Sequence, residues 1–221
     1  MKRFVYLAGL LACLSGLAQA QDIKLPERLP ELSVTDEAAL GTADSGVKPG
    51  AKVADFSVLD HKGSPVSLEA LAKDKAPLLV IFYRGGWCPY CNVQIRQLAE
   101  AWSEFEKRGV TPVLVSVDKP DASAMAKATY EIPFPVLSDP DLKAHEAFDV
   151  IIEIDDATAE KYKTYGIVLE DWSGRDHHKI AAPGIFLLDK AGTVEWAHVS
   201  KDYKTRPSVE QLLNMLDNRG Q

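Results

Sequence analysis

The chain has 221 residues, 46% of them hydrophobic, and its 25 lysines and arginines stand against 32 aspartates and glutamates, which gives a net charge of −7. This apolar fraction and length are typical of a folded domain with a full core and exclude a largely disordered chain. The acidic balance, without a Lys/Arg-rich stretch after the N-terminus, argues against nucleic acid and anionic membrane surfaces as partners.

The first 20 residues have the features of an export signal. A basic start precedes an apolar stretch that ends in Ala18-Gln19-Ala20, a pattern of small residues typical of signal cleavage. We expect cleavage there and export, most simply to a bacterial periplasm, where disulfide chemistry is permitted. Two alternatives stay open: a lipid anchor at Cys13, and an uncleaved anchor helix. No later stretch has the roughly 20 apolar residues of a membrane span.

Residues 21–50 contain prolines and glycines without an apolar period, which predicts an N-terminal arm or linker. From residue 51 the apolar residues recur with regular strand and helix spacing, so we expect one domain at 51–221. Its first element is a predicted hairpin, in which an alternating segment at 55–60 turns near Gly63 into a second short strand.

Strands and helices then alternate, which is typical of an α/β fold with parallel strands joined by crossovers. The apolar run at 78–83 indicates a central strand buried on both faces. The predicted elements of this part are strands at 78–83, 113–117 and 134–137, and helices at 89–108, 121–130 and 138–148.

The C-terminal part contains an irregular stretch and then regular elements. Residues 151–181 are predicted to be an insertion with one helix near 157–165. A second hairpin is predicted near 184–196, and a last helix begins at a capping box formed by Ser208 and Gln211.

Cys88 and Cys91 are the cysteines that remain after signal removal, too few for a disulfide-stapled miniprotein. They fall where a buried strand ends and a helix begins, so both project from the first helical turn, close enough for a disulfide. Helix N–H groups there favour a negative sulfur, and thiolates in Cys-x-x-Cys motifs have pKa values of roughly 3.5–7.5. We interpret the pair as a redox-active dithiol/disulfide and expect no cofactor. A structural disulfide, or a metal site completed by His177 and His178, are the alternatives.

The sequence Val-Ile-Phe-Tyr-Arg-Gly-Gly-Trp-Cys-Pro-Tyr-Cys at 80–91 resembles the active-site strand and loop of the thioredoxin-like superfamily. More narrowly, it is similar to the peroxiredoxin-like branch of the alkyl hydroperoxide reductase C/thiol-specific antioxidant (redoxin) family with a Cys-x-x-Cys. The resemblance covers roughly 53–216 and includes the segments 134–139 and 182–189. It implies a thioredoxin-like α/β fold: a central mixed sheet flanked by helices, an N-terminal hairpin and an insertion near 151–181.

Two templates overlap at this loop and imply different nucleophiles. The thioredoxin template implies that Cys88, preceded by Trp87, attacks first and that Cys91 resolves the mixed disulfide. The peroxiredoxin template places the peroxidatic cysteine at Cys91 and its assisting hydroxyl residue, usually threonine, at Cys88. The chain departs from that family at Arg84, where the family has proline. We expect Trp87 and Arg84 to position substrate, with a solvated Arg84 as the alternative.

A second departure lies at Pro183. Peroxiredoxins have an arginine there that helps to bind peroxide, whereas thioredoxins have a cis proline that faces the Cys-x-x-Cys. The resemblance therefore implies a cis Ala182–Pro183 bond and a free Ala182 backbone that pairs with an extended substrate. A trans proline at the start of an edge strand is the alternative.

The identity of a catalytic base stays open. The buried acid of thioredoxins would fall at Ile81 or Phe82, so the candidates lie elsewhere: Glu131, Asp139 or an acid of the insertion at 151–181. We expect the following aromatic residues to belong to the core rather than to a substrate groove: Tyr162, Tyr165, Trp172 and Trp196.

Three functions are compatible with these features. The first is a thiol–disulfide oxidoreductase that acts on disulfides of exported proteins or small molecules, together with an unidentified electron donor or acceptor. The second is a peroxiredoxin-like thiol peroxidase that reduces hydroperoxides as an antioxidant. The third is a redox-inert domain that binds a partner. The sequence favours the first, because its cysteine pair and Pro183 follow the thioredoxin template.

Overall fold

The computed structural model describes residues 41–219. The predicted signal at 1–20, the alternative lipid site Cys13 and most of the predicted arm at 21–50 lie outside the described residues. Within the described part, no helix is long and apolar enough to cross a membrane.

The described chain is built from alternating strands and helices. The strands are β1 (Ser57–Asp60), β2 (Pro65–Ser67), β3 (Leu78–Phe82), β4 (Thr111–Ser116), β5 (Val136–Ser138), β6 (Ile151–Glu153), β7 (Lys179–Ala181), β8 (Gly184–Leu188) and β9 (Val194–Val199). The helices are α1 (Leu68–Lys75), α2 (Pro89–Glu100), α3 (Trp102–Lys107), α4 (Pro120–Thr129), α5 (Lys143–Ala147), α6 (Asp156–Thr164), α7 (Leu169–Ser173) and α8 (Val209–Asp217).

Seven strands form one mixed sheet in the order β2-β1-β5-β4-β3-β8-β9. Strands β3, β4 and β5 are parallel neighbours, whereas β8 and β9 continue the sheet antiparallel. The predicted α/β fold, a thioredoxin-like arrangement with a central mixed sheet flanked by helices, is confirmed. The N-terminal hairpin is also confirmed, since β1 pairs antiparallel with β2.

Strand β3 lies inside the sheet and is buried along its whole length. Leu78, Val80 and Phe82 pack into the core on one face, and Leu79 and Ile81 pack into the core on the other. The apolar run therefore has the two-faced burial that was predicted for a central strand.

The helix predicted at 89–108 is in fact two helices. Ala101 has φ −89° and ψ 8°, which ends α2 and begins α3. Helix α1, which was not predicted, has Ser67 as its N-cap residue, and the Ser67 side chain accepts a hydrogen bond from the Ala70 N–H. The last helix is confirmed, and its capping box of Ser208 and Gln211 is present.

The insertion near 151–181 contains more structure than the one predicted helix. Helix α6 confirms that helix, α7 adds a second, and β6 and β7 form a separate antiparallel pair. The apolar side chains of the insertion pack with Val117 and Leu142, and this cluster extends to Trp87. The insertion therefore borders the loop that carries the cysteines.

Candidate active site

Cys88 and Cys91 lie at the carboxyl end of β3, at the strand-to-helix junction that was predicted. Strand β3 ends at Phe82 and α2 begins at Pro89. Cys88 is the N-cap residue of α2, with extended backbone angles of φ −87° and ψ 112°. Proline suits the first helical turn because it lacks an N–H that would stay unpaired there.

Both cysteines are free thiols, and both are enclosed. Cys88 is 1% exposed and Cys91 is 0% exposed, and they pack in a core cluster with Tyr83 and Ile95. A protein disulfide cannot approach sulfurs so enclosed unless their cover moves. A small reactant needs a much smaller opening.

The two thiols differ in acidity. The pKa of the Cys88 thiol is lowered to about 6, chiefly by a hydrogen bond from the Cys91 thiol. The positive charges of Arg206 and Arg84 act in the same direction, whereas burial opposes the shift. Burial and the neighbouring Cys88 raise the pKa of the Cys91 thiol well above its ordinary value. Near neutral pH the pair therefore holds one negative charge, mainly on Cys88.

Arg206 is a site residue that the sequence interpretation missed. It lies between β9 and α8, is 3% exposed, and donates from Nη2 to the Cys91 sulfur at 3.2 Å. Its Nε and Nη1 are buried without a hydrogen-bond partner in the described structure. No local pattern marks this arginine. The site thus has a guanidinium with unused donors, although Pro183 stands at the position where the peroxiredoxin pattern has arginine.

Arg84 and Trp87 both lie beside the cysteine pair. Arg84 is only 6% exposed, so the alternative of a solvated side chain is wrong. Its Nη2 donates to the Tyr162 hydroxyl at 2.6 Å. Its guanidinium carbon lies 4.2 Å from the ring centre of Tyr203 and 5.0 Å from that of Trp87. The rings hold the cation close to the cysteine pair.

The four aromatic residues assigned to the core have different environments. Tyr162 packs against the apolar cluster of the insertion, as expected of a core residue, and it also borders the site through Trp87, 5.5 Å away between ring centres. Tyr165 is 66% exposed, so its assignment to the core is wrong. Trp172 is half-buried against the loop before the cysteines. Trp196 packs against the core cluster from β9.

The Ala182–Pro183 bond is trans, so the expectation of a cis bond there is wrong; among residues 41–219 the cis bond is Ala76–Pro77. Ala182 and Pro183 form the short connection between β7 and β8, and a hydrogen bond holds the first of them. The Ala182 N–H donates to the Val150 carbonyl at 2.7 Å. It is therefore not free to pair with a substrate, and the substrate-positioning role expected of Ala182 loses its basis.

A buried carboxylate, also missed, lies beneath the loop before the cysteines. Asp118 follows β4 and is 0% exposed; its Oδ2 accepts the Gly86 N–H at 2.9 Å, and its Oδ1 has no partner in the described structure. Burial raises the pKa of Asp118 to about 6. A signal did exist, because the carboxyl ends of neighbouring parallel strands meet at one edge of a sheet, and Asp118 directly follows a predicted strand.

The residues named in advance as possible bases or ligands lie elsewhere. Glu131 is exposed, and Asp139 is bonded to His145 at 2.6 Å. His177 contacts the Pro140 carbonyl at 3.0 Å, and His178 contacts a glutamate of α7. These contacts account for both histidines without a metal ion.

Known proteins resemble this chain in sequence and in fold. Residues 49–197 match the model of a family described as the AhpC/TSA family. Peroxiredoxin Bcp of Escherichia coli K12 is 31% identical over 170 residues, which are 77% of this chain and 96% of that protein. Chloroplastic peroxiredoxin Q of Sedum lineare is 31% identical over 172 residues, which are 78% of this chain and 79% of that protein.

A solved structure has the same architecture. The crystal structure of peroxidoxin BcpB from Mycobacterium tuberculosis superposes with a TM-score of 0.61 and 20% identity, over 77% of this chain and 96% of that one. At this identity the superposition supports the fold alone, while the sequence matches bear on the family.

Proposed function

The chain is an oxidoreductase of the AhpC/TSA family, and we propose that it is a thiol peroxidase that reduces hydroperoxides with Cys88 and Cys91. The proposal rests on one observation, the enclosure of the Cys88 thiolate beside the buried guanidinium of Arg206. A hydroperoxide is small, and its oxygens are acceptors for the unused N–H groups of Arg206. The relatives named peroxiredoxins support the same activity.

In the first step, the Cys88 thiolate attacks the terminal oxygen of the hydroperoxide. The O–O bond breaks, Cys88 becomes a sulfenic acid, and the leaving oxygen takes a proton to give an alcohol or water. Arg206 donates to the peroxide oxygens and stabilises the negative charge that develops on the leaving oxygen.

In the second step, the Cys91 sulfur attacks the sulfenic sulfur of Cys88. The S–O bond breaks, a disulfide forms between the two cysteines, and the oxygen leaves as water. An external thiol reductant then supplies two electrons and restores the dithiol. The pair therefore returns to the free-thiol state that the structure describes.

Two observations favour this reaction over the exchange of protein disulfides, which the sequence interpretation ranked first. Both sulfurs are enclosed, so a folded protein disulfide cannot reach them directly. The Ala182 N–H is bonded to Val150 and does not offer an edge to an extended peptide. Neither feature hinders a small hydroperoxide.

Single-cysteine variants test the proposal and the order of attack. Cys88→Ser is expected to lower kcat/KM for hydrogen peroxide by about 10³-fold or more, because the nucleophile is lost. Cys91→Ser is expected to accumulate a sulfenic acid on Cys88, detected by dimedone labelling and mass spectrometry. Full turnover in Cys88→Ser, with the label on Cys91, would contradict Cys88 as the first nucleophile.

Arginine variants test the peroxide site itself. Arg206→Gln is expected to lower kcat/KM for hydroperoxide by about 10²-fold, the usual effect of losing one such donor. Arg108→Gln is the matched control, because Arg108 forms a partly exposed ion pair with Asp217. Faster reduction of insulin disulfides than of any hydroperoxide, with Arg206→Gln unchanged in both assays, would overturn the proposal.

We further propose that the enzyme acts after export, on the strength of the signal pattern at 1–20. N-terminal sequencing of the protein from a fractionated bacterial host is expected to begin at Gln21. Recovery of the full-length chain in the cytoplasm alone would contradict export.

A further inference from the structure

The connection between β9 and α8, residues 200–208, brings Arg206 to the cysteine pair. Arg206 Nη2 donates to the Cys91 sulfur at 3.2 Å, while its Nε and Nη1 are buried without a hydrogen-bond partner in the described structure. A guanidinium can donate five hydrogen bonds, so this one contact holds it weakly. The placement of Arg206 therefore depends mainly on how the connection itself is held.

A compact turn makes Tyr203 and Arg206 parts of one unit. The Asp202 side chain accepts the Lys204 N–H at 2.9 Å, and the Asp202 carbonyl accepts the Thr205 N–H at 3.0 Å. Such bonds from an aspartate to the backbone that follows it stabilise a turn. They close the chain around Tyr203, and Arg206 follows directly. A contact that fixes the Tyr203 ring therefore also limits the movement of Arg206.

The Tyr203 ring is held by a buried cation. The guanidinium carbon of Arg84 lies 4.2 Å from the centre of the Tyr203 ring and 5.0 Å from that of the Trp87 ring. Arg84 Nη2 donates to the Tyr162 hydroxyl at 2.6 Å, so Arg84 is itself anchored to helix α6. Arg84 is buried, and a cation–π contact is stronger when the cation is shielded from water.

The Tyr203 ring also contacts the turn between the two cysteines. It meets the Tyr90 ring edge to face, with 5.7 Å between the ring centres and 87° between the ring planes. Tyr90 lies between Cys88 and Cys91 in the chain. The ring of Tyr203 therefore rests on Arg84 and on the turn that carries the sulfurs, and both contacts align the connection with the cysteine pair.

We propose that Arg84 and Tyr203 are positioning residues, which hold Arg206 at the cysteine pair for the reduction of hydroperoxides. Arg84 fixes the Tyr203 ring, the ring fixes the connection, and the connection presents Arg206 to the peroxide. Arg84 stands where the peroxiredoxin pattern has proline, so this arrangement belongs to the chain itself. The inference rests on the peroxidase function proposed above.

The position of Arg206 is measured without peroxide, by labelling with phenylglyoxal, which reacts with accessible guanidinium groups. Peptide mass spectrometry gives the rate at each arginine. Wild-type Arg206 is 3% exposed and should label slowly, whereas Arg175, whose side chain is 47% exposed, should label quickly in every variant. Tyr203→Leu is expected to raise the rate at Arg206 by about 10-fold, through loss of a shielded cation–π contact. Tyr203→Phe keeps the ring and should label as wild type.

Arg84→Met tests the other partner of the contact, because methionine fills similar space without the charge. The labelling rate of Arg206 should rise as it does in Tyr203→Leu. The double variant should label no faster than either single variant, since both remove the same contact. Turnover of Arg84→Met is not compared, because the charge of Arg84 also lowers the pKa of Cys88.

Hydroperoxide turnover shows whether Tyr203 acts through Arg206. Tyr203→Leu is expected to lower kcat/KM for hydrogen peroxide by about 10-fold, and Tyr203→Phe should keep the wild-type value. In the Arg206→Gln background, Tyr203→Leu should change kcat/KM by less than about twofold, because no guanidinium remains to be positioned. Tyr165→Leu, which removes a 66% exposed ring of the insertion, is the matched control and should behave as wild type.

Labelling of Arg206 at the wild-type rate in Tyr203→Leu would overturn the inference, as would a full 10-fold loss of kcat/KM on adding Tyr203→Leu to Arg206→Gln. Raised labelling in a protein that consumes no hydroperoxide would instead refute the peroxidase proposal and leave the placement of Arg206 by Tyr203 standing. Tyr203 is 37% exposed, so its replacement opens little of the core. Circular dichroism melting of each variant confirms that the compared proteins are folded.

Discussion

Two buried aspartates occupy equivalent places in this fold and differ in their hydrogen bonds. Asp118 follows β4 and Asp139 follows β5, and these strands are parallel neighbours, so both carboxylates lie at the same edge of the sheet. Their exposed fractions are 0% and 1%. Burial alone therefore does not distinguish them.

Asp139 has its acceptor capacity filled. It accepts the backbone N–H groups of Lys143, Ala144 and His145 at 2.8–3.0 Å, and it contacts His145 Nδ1 at 2.6 Å. Asp118 accepts the N–H of Gly86, and its Oδ1 has no partner in the described structure. The first carboxylate anchors helix α5, whereas the second has fewer hydrogen bonds to stabilise its charge.

This difference shows that the hydrogen bonds around a buried aspartate decide what the residue does in the fold. Hydrogen bonds to a buried carboxylate stabilise its charged form and fix its surroundings. A buried carboxylate with few such bonds takes up a proton more readily, which is the property of a proton acceptor. By this criterion Asp118 is the carboxyl that changes protonation near pH 6, whereas Asp139 holds helix α5 in place.

The largest expected effect is on folding stability at Asp139. Asp139→Ala leaves three buried N–H groups and His145 without their partner, so we expect a loss of about 3–5 kcal/mol in the free energy of unfolding. Urea denaturation at pH 7 measures it. Asp118→Ala, the matched variant, should lose far less, because the charge that it removes is poorly satisfied. Equal losses would remove the distinction between the two residues.

The pH dependence of stability gives the second effect. The pKa of Asp118 is raised from 3.8 to about 6, so the folded state binds the proton more tightly than the unfolded state. Stability from this group is present below pH 3.8 and is lost as pH rises to about 6 and above. This shift in the pKa of Asp118 corresponds to about 3 kcal/mol in the free energy of unfolding.

Asp118→Asn should therefore be more stable than wild type at pH 7, by up to about 3 kcal/mol, and the two should converge on acidification. Urea denaturation from pH 4 to 7 measures this difference. A difference that does not vary with pH would show that Asp118 does not titrate in this range.

Local patterns predicted the framework of the site but not its charges. The run from Leu78 to Phe82 is apolar, Pro89 fits a first helical turn, and the helical stripe follows at once, so the position of the cysteines was evident from the sequence. These signals depend on residues that are close together in the chain, so they can be recognised without knowledge of the tertiary structure.

The features that the sequence did not reveal depend on contacts between residues that are far apart in the chain. Arg206 reaches Cys91 across 115 positions of the chain, and nothing near Arg206 in the sequence indicates that contact. Asp118 was recognisable only once β3 and β4 were taken as adjacent parallel strands. Ala182 was misjudged because its partner, Val150, directly precedes β6, a strand that was not predicted. The break at Ala101 has no sequence signal, since alanine favours a continuous helix.

A smaller effect is expected at His145, the partner of Asp139. His145→Phe keeps a ring of similar shape against Phe82, whose centre lies 5.1 Å away. It removes one hydrogen bond to Asp139 and also the buried Nε2, which has no partner in the described structure. We expect a loss of about 1–2 kcal/mol in unfolding free energy, measured in urea. A loss as large as that of Asp139→Ala would mean that the backbone N–H groups contribute little.

The smallest effect is expected at Tyr83, the polar neighbour of Asp118. Its hydroxyl is buried without a partner in the described structure, so Tyr83→Phe removes an unsatisfied group from a tightly packed ring position. We expect a change below about 1 kcal/mol in unfolding free energy, in either direction. A large loss of stability in urea would instead place Tyr83 with Asp139, among the groups that hold the fold together.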